Sequence, residues 1–169
     1  KCASCHAAEF TAWRTSQHAQ AMQTASDSTV EGDFDSAQPT LSASFIRTGD
    51  RYIVNTEGAD GKPHDFSVGY TFGVYRLQQY LVAFPDGRKQ VLPYAWDSRP
   101  ASDGGQRWFS MTPGQRIAHT DELHWTGRQM NWNFMCADCH STGVSKNYQA
   151  DNDRFATTWS EINVGCEAC

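Results

Sequence analysis

Apolar residues recur along this chain first at helical spacing and then at strand spacing. The alanine-rich stretch Ala7–Ala25, with Phe10, Trp13 and His18, predicts a helix, followed by a further helical turn or two over His18–Met22. Ser26–Thr40, rich in Ser, Asp, Gly and Pro, reads as a loop. Beyond it the pattern alternates. Ser44–Arg47 and Tyr52–Asn55 flank Thr48-Gly49-Asp50, a hairpin signal. Glu57–Pro63 is a turn-rich connection, and Phe66–Tyr75 alternates Val, Tyr and Phe with small residues. Gln79–Phe84 and Lys89–Tyr94 flank Pro85-Asp86-Gly87-Arg88, whose P-D-G order marks a tight turn.

After residue 96 the alternation stops. Asp97–Gly114 is polar and glycine-containing and reads as irregular chain. Gln115–Gly127 holds His119 and His124, and Arg128–Cys139 is dense in Trp132, Phe134 and Met135. Ser141–Thr158 reads as a polar loop, and Trp159–Cys169 as a short helix. These elements predict an α+β fold in one domain over residues 1–169. Short helical segments lie in 1–25 and 115–169, and a small antiparallel β-unit is inserted over 41–96 as scaffold.

Composition sharpens this picture. Six Trp, nine Phe and six Tyr supply flat apolar walls. The formal charge is −5, with no Lys- or Arg-rich run, so nucleic acid and an anionic membrane surface are not expected as partners. No apolar run approaches the roughly 20 residues that span a bilayer.

The six cysteines fall into three pairs at C-x-x-C spacing. Two pairs, Cys2/Cys5 and Cys136/Cys139, are followed at once by His6 and His140; the third is Cys166/Cys169. C-x-x-C-H is the attachment signature of a c-type haem. Two thiols three positions apart share one side of a helical turn and can bond the two porphyrin vinyl groups, while the adjoining histidine reaches the iron. A zinc ribbon would space its pairs by roughly 15–20 residues, and zinc gives no reason for a histidine directly after each second cysteine. A disulfide framework would make three adjacent C-x-x-C bridges in one small chain, where such bridges are redox-active more often than structural. The pattern therefore points to about three covalently held haems c, around which a 169-residue chain completes a modest core. Haem attachment to this motif takes place outside the cytoplasm, so export to a periplasm, cell surface or beyond is expected. The chain starts one residue before a motif, as a mature or trimmed product does.

Each six-coordinate haem needs a second axial ligand. The spare histidines are His18, His64, His119 and His124. His18 lies twelve residues after His6; at 1.5 Å per residue a helix carries it about 18 Å away. It is therefore expected to ligate a neighbouring haem. His124, between Leu123 and Trp125 and just before the second motif, is the second choice. His119 sits beside Thr120-Asp121-Glu122 and reads as exposed, and His64 at the edge of the β-unit is open to either role. Met22, Met111, Met130 and Met135 are alternative sulfur ligands.

The segment Cys2-x-x-Cys5-His6, Glu9-Phe10, Trp13, Ser16-x-His18-Ala19 and Met22 resembles the opening of the cytochrome c554-like multihaem cytochromes. Tyr70–Val74, Leu77–Leu81, Trp96–Pro100, Leu123–Gly127 and Asn131–Cys136 are similar to the multihaem segment found ahead of tetratricopeptide repeats in some exported bacterial proteins. The resemblance implies closely packed covalent haems c, and it implies that the histidine of the S-x-H-A element, His18, is a distal ligand. In the repeat-bearing relatives the third pair is followed by His-Gly-Pro. Here Cys169 is the last residue, so a third proximal ligand is expected from further chain or from a neighbouring subunit.

Two functions compete. With two axial ligands on every iron, the chain is an electron relay or wire for redox partner proteins, conceivably joined end to end with copies of itself. With one iron open, it is an oxidoreductase of small nitrogen or oxygen species. Arg107, Asp121 and His119 are then the acid–base candidates, although each is an ordinary surface residue type.

Overall fold

The computed structural model describes residues 2–36, 38 and 41–168. Its centre is a curled seven-stranded antiparallel sheet. The strands are β1 (Met22–Thr24), β2 (Ala43–Thr48), β3 (Arg51–Glu57), β4 (Pro63–Phe72), β5 (Leu77–Ala83), β6 (Lys89–Asp97) and β7 (Arg107–Ser110). They run in the order β2 to β7, with β1 added to β4. The two expected hairpins form: Phe45 pairs with Val54 across the Gly49 turn, and Ala83 with Lys89 across the Gly87 turn. Both glycines take positive φ, +62° and +84°, which β-carbon sterics make costly for other residues.

β4 carries the sheet from one core to another. Phe66 and Val68 belong to the first apolar cluster, whereas Tyr70 and Phe72 belong to the second. Strict alternation would put all four on one face. The register shifts between Val68 and Tyr70, and the bulge reverses the facing of everything beyond it. β3 pairs with β4 before this point and β1 after it. β5 and β6 are buried on both faces, as Tyr80, Leu81, Val91 and Leu92 show.

The first cluster lies under the 26–36 loop. Phe34 is 2 % exposed and meets Phe45, Tyr52, Tyr80 and Trp108 edge to face. Burial of such a ring contributes roughly 1.5–3 kcal/mol. Side-chain bonds tie the loop down: Gln78 Nε2 donates to the Thr29 carbonyl at 2.9 Å, and Trp108 Nε1 to the Asp33 carbonyl at 2.7 Å. The second cluster, Met22, Phe72, Leu81, Val91, Trp132 and Ala137, joins the opposite face of the sheet to the helical segments.

Outside the sheet the elements are short. A 3₁₀ turn at Cys2–Ser4 leads into α1 (Ala7–Arg14); α2 (Trp132–Met135) and α3 (Ala137–His140) meet at Cys136; β8 (Tyr148–Gln149) and β9 (Arg154–Phe155) form a small hairpin.

Four sequence expectations need correction. The helical turns over His18–Met22 are replaced by successive tight turns and then β1. Ser16 Oγ bonds back to the Trp13 carbonyl at 2.7 Å, which competes with helix continuation. Asp97–Gly114 is not wholly irregular, because burial of Trp108 draws Arg107–Ser110 onto the edge of β6. The sheet thus reaches beyond residues 41–96 at both ends. Within the expected 141–158 loop, β8 and β9 pair. The described part of Trp159–Cys169 is irregular rather than helical, with bends over residues 160–163 and a turn at residues 166–167, because its backbone groups bond across to Ser141 and Thr142.

Candidate functional site

The second cysteine pair is built on a nearly continuous helical run. Asn131 caps it: its side-chain oxygen accepts from the Phe134 N–H at 3.1 Å, and its amide donates to Gln90 Oε1 on β6 at 3.1 Å. The Cys136 N–H bonds the Trp132 carbonyl at 3.0 Å, and the N–H groups of Cys139 and His140 both bond the Cys136 carbonyl at 3.1 Å. Cys136 is half-buried against the second cluster and Cys139 is exposed. Burial raises the Cys136 thiol above its ordinary value, with Cys139 adding to the shift.

His140 is held in one orientation. Its Nδ1 lies 3.0 Å from the Ala21 carbonyl oxygen. A carbonyl can only accept, so Nδ1 carries the proton and Nε2 is the nitrogen left to bind a metal. Phe72 stands edge-on to the ring at 5.2 Å. Ala21 lies just ahead of β1, and nothing in its residue type marks it. A backbone carbonyl that orients a ligand leaves no signature in residue types.

The first pair sits just ahead of α1, in and directly after the 3₁₀ turn at Cys2–Ser4. The His6 N–H bonds the Cys2 carbonyl at 2.8 Å, and Cys5 and His6 are exposed. The third pair is described through Cys166; Cys169 lies outside the described residues. Cys166 meets Cys2. Desolvation first, then the neighbouring Cys2 sulfur, holds its thiol above the ordinary value. Between the two opens a cleft of about 300 Å³ lined by Cys2, Phe10, Trp13, Glu161 and Cys166.

Hydrogen bonds stitch all three segments together. Trp13 Nε1 donates to the Val164 carbonyl at 2.8 Å, and the Val164 N–H donates to the His18 carbonyl at 3.2 Å. Asn163 Nδ2 donates to the Ala19 carbonyl at 2.8 Å. From the second segment, Thr142 Oγ1 donates to the Asn163 carbonyl and accepts the Gly165 N–H, each at 2.8 Å. The Thr142 N–H reaches the Glu161 carbonyl at 3.0 Å.

The spare histidines divide. His18 is exposed, on the turn that touches Val164. The other three gather near the β3–β4 turn. His124 is buried, with Nδ1 2.8 Å from Thr126 Oγ1 and Nε2 3.8 Å from Glu57 Oε1, too long for a hydrogen bond. Burial lowers its pKa, partly opposed by Glu57. His64 is exposed and pairs with Asp60 at 2.9 Å, and the exposed His119 ring lies against Gly61. His64 and Phe72 are at opposite ends of β4, about 26 Å apart at roughly 3.3 Å per residue. Met22 is fully buried, whereas Met111 and Met135 are exposed. Arg107 binds the Gly104 carbonyl and Asp121 accepts the Leu123 N–H, both in solvent.

This donor set fits a covalently held haem. Two thiols share a helical turn, an imidazole presents an oriented Nε2, and the apolar Phe134 and Met135 stand 41 % and 59 % exposed beside them. No helix among the described residues is long and apolar enough to cross a membrane. Comparison with curated proteins finds no match, and neither does comparison with solved structures. The family described as cytochrome c554 and c-prime matches residues 1–44 and 103–169. Those two stretches carry all three cysteine pairs, and the central strands of the sheet fall between them. By that match, over more than half of its length, the chain belongs to the cytochrome c554 and c-prime family.

Proposed function

We propose that this chain is an exported electron relay, holding about three haems c close together and passing electrons between redox partner proteins. Cys2/Cys5, Cys136/Cys139 and Cys166/Cys169 are the attachment thiols, and His6 and His140 the proximal ligands. The haem iron supplies reversible one-electron chemistry. The residues of the chain bind it, orient its ligands and exclude water. The observation that carries this reading is the convergence of the three cysteine segments on Val164 and Thr142, because electron hopping needs cofactors held close and rigidly.

His18 is the first distal ligand in this proposal, since its backbone is bonded to the segment that leads into Cys166. His124 is the second: a buried imidazole whose Nδ1 is engaged and whose Nε2 has no good hydrogen bond is suited to a metal. His64 and His119 come last: their rings are exposed, but they lie at the far end of β4 from Phe72 and His140. End-to-end association of copies extends the same reading.

The test is the visible spectrum of the dithionite-reduced holoprotein before and after carbon monoxide. Haem c bands unchanged by the gas are the expected result. A Soret shift on a fraction of the haems in full-length protein would replace the relay with small-molecule chemistry at an open iron. Absence of haem bands after expression in a host competent for haem attachment would overturn both.

A further inference from the structure

Four described cations are half-buried: Arg88, Arg99, Lys146 and Lys89. Three have a carboxylate at ion-pair distance. Arg88 meets Asp86 at 2.7 Å, Arg99 meets Asp97 at 2.6 Å, and Lys146 meets Asp138 at 2.8 Å. Lys89 has none among the described residues. Its ammonium is instead surrounded by aromatic faces, 5.2 Å from the ring centre of Trp159, 5.8 Å from Tyr70 and 5.9 Å from Trp132. Burial pushes its pKa below the ordinary lysine value, with no acidic neighbour to offset the shift.

The cage is fixed next to the second cysteine pair. The Lys89 backbone N–H donates to Asn133 Oδ1 at 2.7 Å, and Trp132 is one helical turn before Cys136. Tyr70, Trp132, Trp159 and Cys136 share the second apolar cluster. A charge held in an apolar wall needs a counter-charge. Aromatic faces satisfy an ammonium electrostatically but offer it no hydrogen-bond acceptor of ordinary strength.

We propose that Lys89 is a carboxylate-binding residue whose partner is a propionate of the haem held by Cys136, Cys139 and His140. This rests on the haem reading above. Lys89 is then a positioning and tuning residue: its positive charge favours the reduced iron, the state with one more electron.

The test is a spectrally monitored potentiometric titration of wild-type, Lys89→Met and Lys89→Arg holoprotein. Lys89→Met keeps the apolar stem and removes the charge. It is expected to weaken reduction of one haem about tenfold, a fall of about 59 mV for one electron. Lys89→Arg is expected to retain most of the wild-type potential. If Lys89→Met lowers the melting temperature but moves no potential, Lys89 is only an aromatic-cage staple and the proposal fails. If the difference between wild type and Lys89→Met appears only when acetate is added to the buffer, a free carboxylate is the partner and the assignment to haem fails. Should Lys89→Met not fold, wild-type protein with ¹³C-labelled lysine gives the answer. A Lys89 Cε resonance that does not shift between oxidised and reduced states overturns the proposal. Absence of haem bands would instead remove the reading on which it rests.

Discussion

Arg99 reaches the carboxylate of Asp97 through Nε at 2.9 Å and through its terminal nitrogen at 2.6 Å, while Asp97 itself is only 6 % exposed. These hydrogen bonds hold the Asp97 pKa down at about 2, against partial desolvation that acts in the opposite direction. The folded value lies below the unfolded one. The stabilisation is therefore fully present above the ordinary carboxylate range and is lost as pH falls through about 2. Asp97→Asn should be less stable than wild type at pH 6, and the gap should close between pH 4 and pH 2. Urea midpoints across that range decide it, and a gap independent of pH would disprove the electrostatic account. Gly87 makes a different residue-scale case. At φ +84°, with an added Cβ running into the Phe155 carbonyl oxygen, Gly87→Ala forces the β5–β6 turn away from β9. A loss of about 1–3 kcal/mol is expected from urea denaturation.

Asn131 links two elements, since one side of its amide caps α2 and the other bonds Gln90 on β6. Asn131→Ala should cost about 1–2 kcal/mol. Asn131→Asp keeps the cap acceptor but loses the donor to Gln90, so equilibrium unfolding should recover part of that loss; no recovery would mean that the cap contributes little. Elements of this kind were only partly legible in the sequence. The β2–β3 and β5–β6 hairpins were readable because their turn residues are local and their strands alternate. β1 and β7 were not, because segments of three and four residues carry too little periodicity, and they are strands only because β4 and β6 pair with them. The bulge after Val68 could not be read either: the sequence spacing of Val68, Tyr70 and Phe72 is regular, and only the register shift sends the last two to the other core. At the candidate site the cysteine pairs and adjoining histidines stood out as motifs. Ala21, Phe72 and Val164 did not, since what each supplies is a carbonyl or a ring edge delivered from far along the chain.

At the scale of the whole molecule, the sheet is the spacer and the contact between Thr142 and residues 161–165 is the joint. The first and second cysteine pairs lie more than half the chain apart, with residues 41–110 between them, yet both segments end on the same backbone stretch, 161–165. Thr142 is 2 % exposed, and its hydroxyl makes two bonds there, donating to the Asn163 carbonyl and accepting the Gly165 N–H. Thr142→Val keeps the shape and leaves both backbone groups unpartnered, at a cost of about 1–3 kcal/mol for each group that stays buried. The effect should be unevenly distributed. Amide exchange at Gly165 should accelerate by at least tenfold relative to exchange at Leu81 and Leu92, which lie in the sheet. If exchange rose equally at all three, the joint would belong to the global fold. A change confined to Gly165 would mean that the third cysteine segment is fastened to the other two locally, by the bonds at residues 161–165, two of which the Thr142 hydroxyl makes.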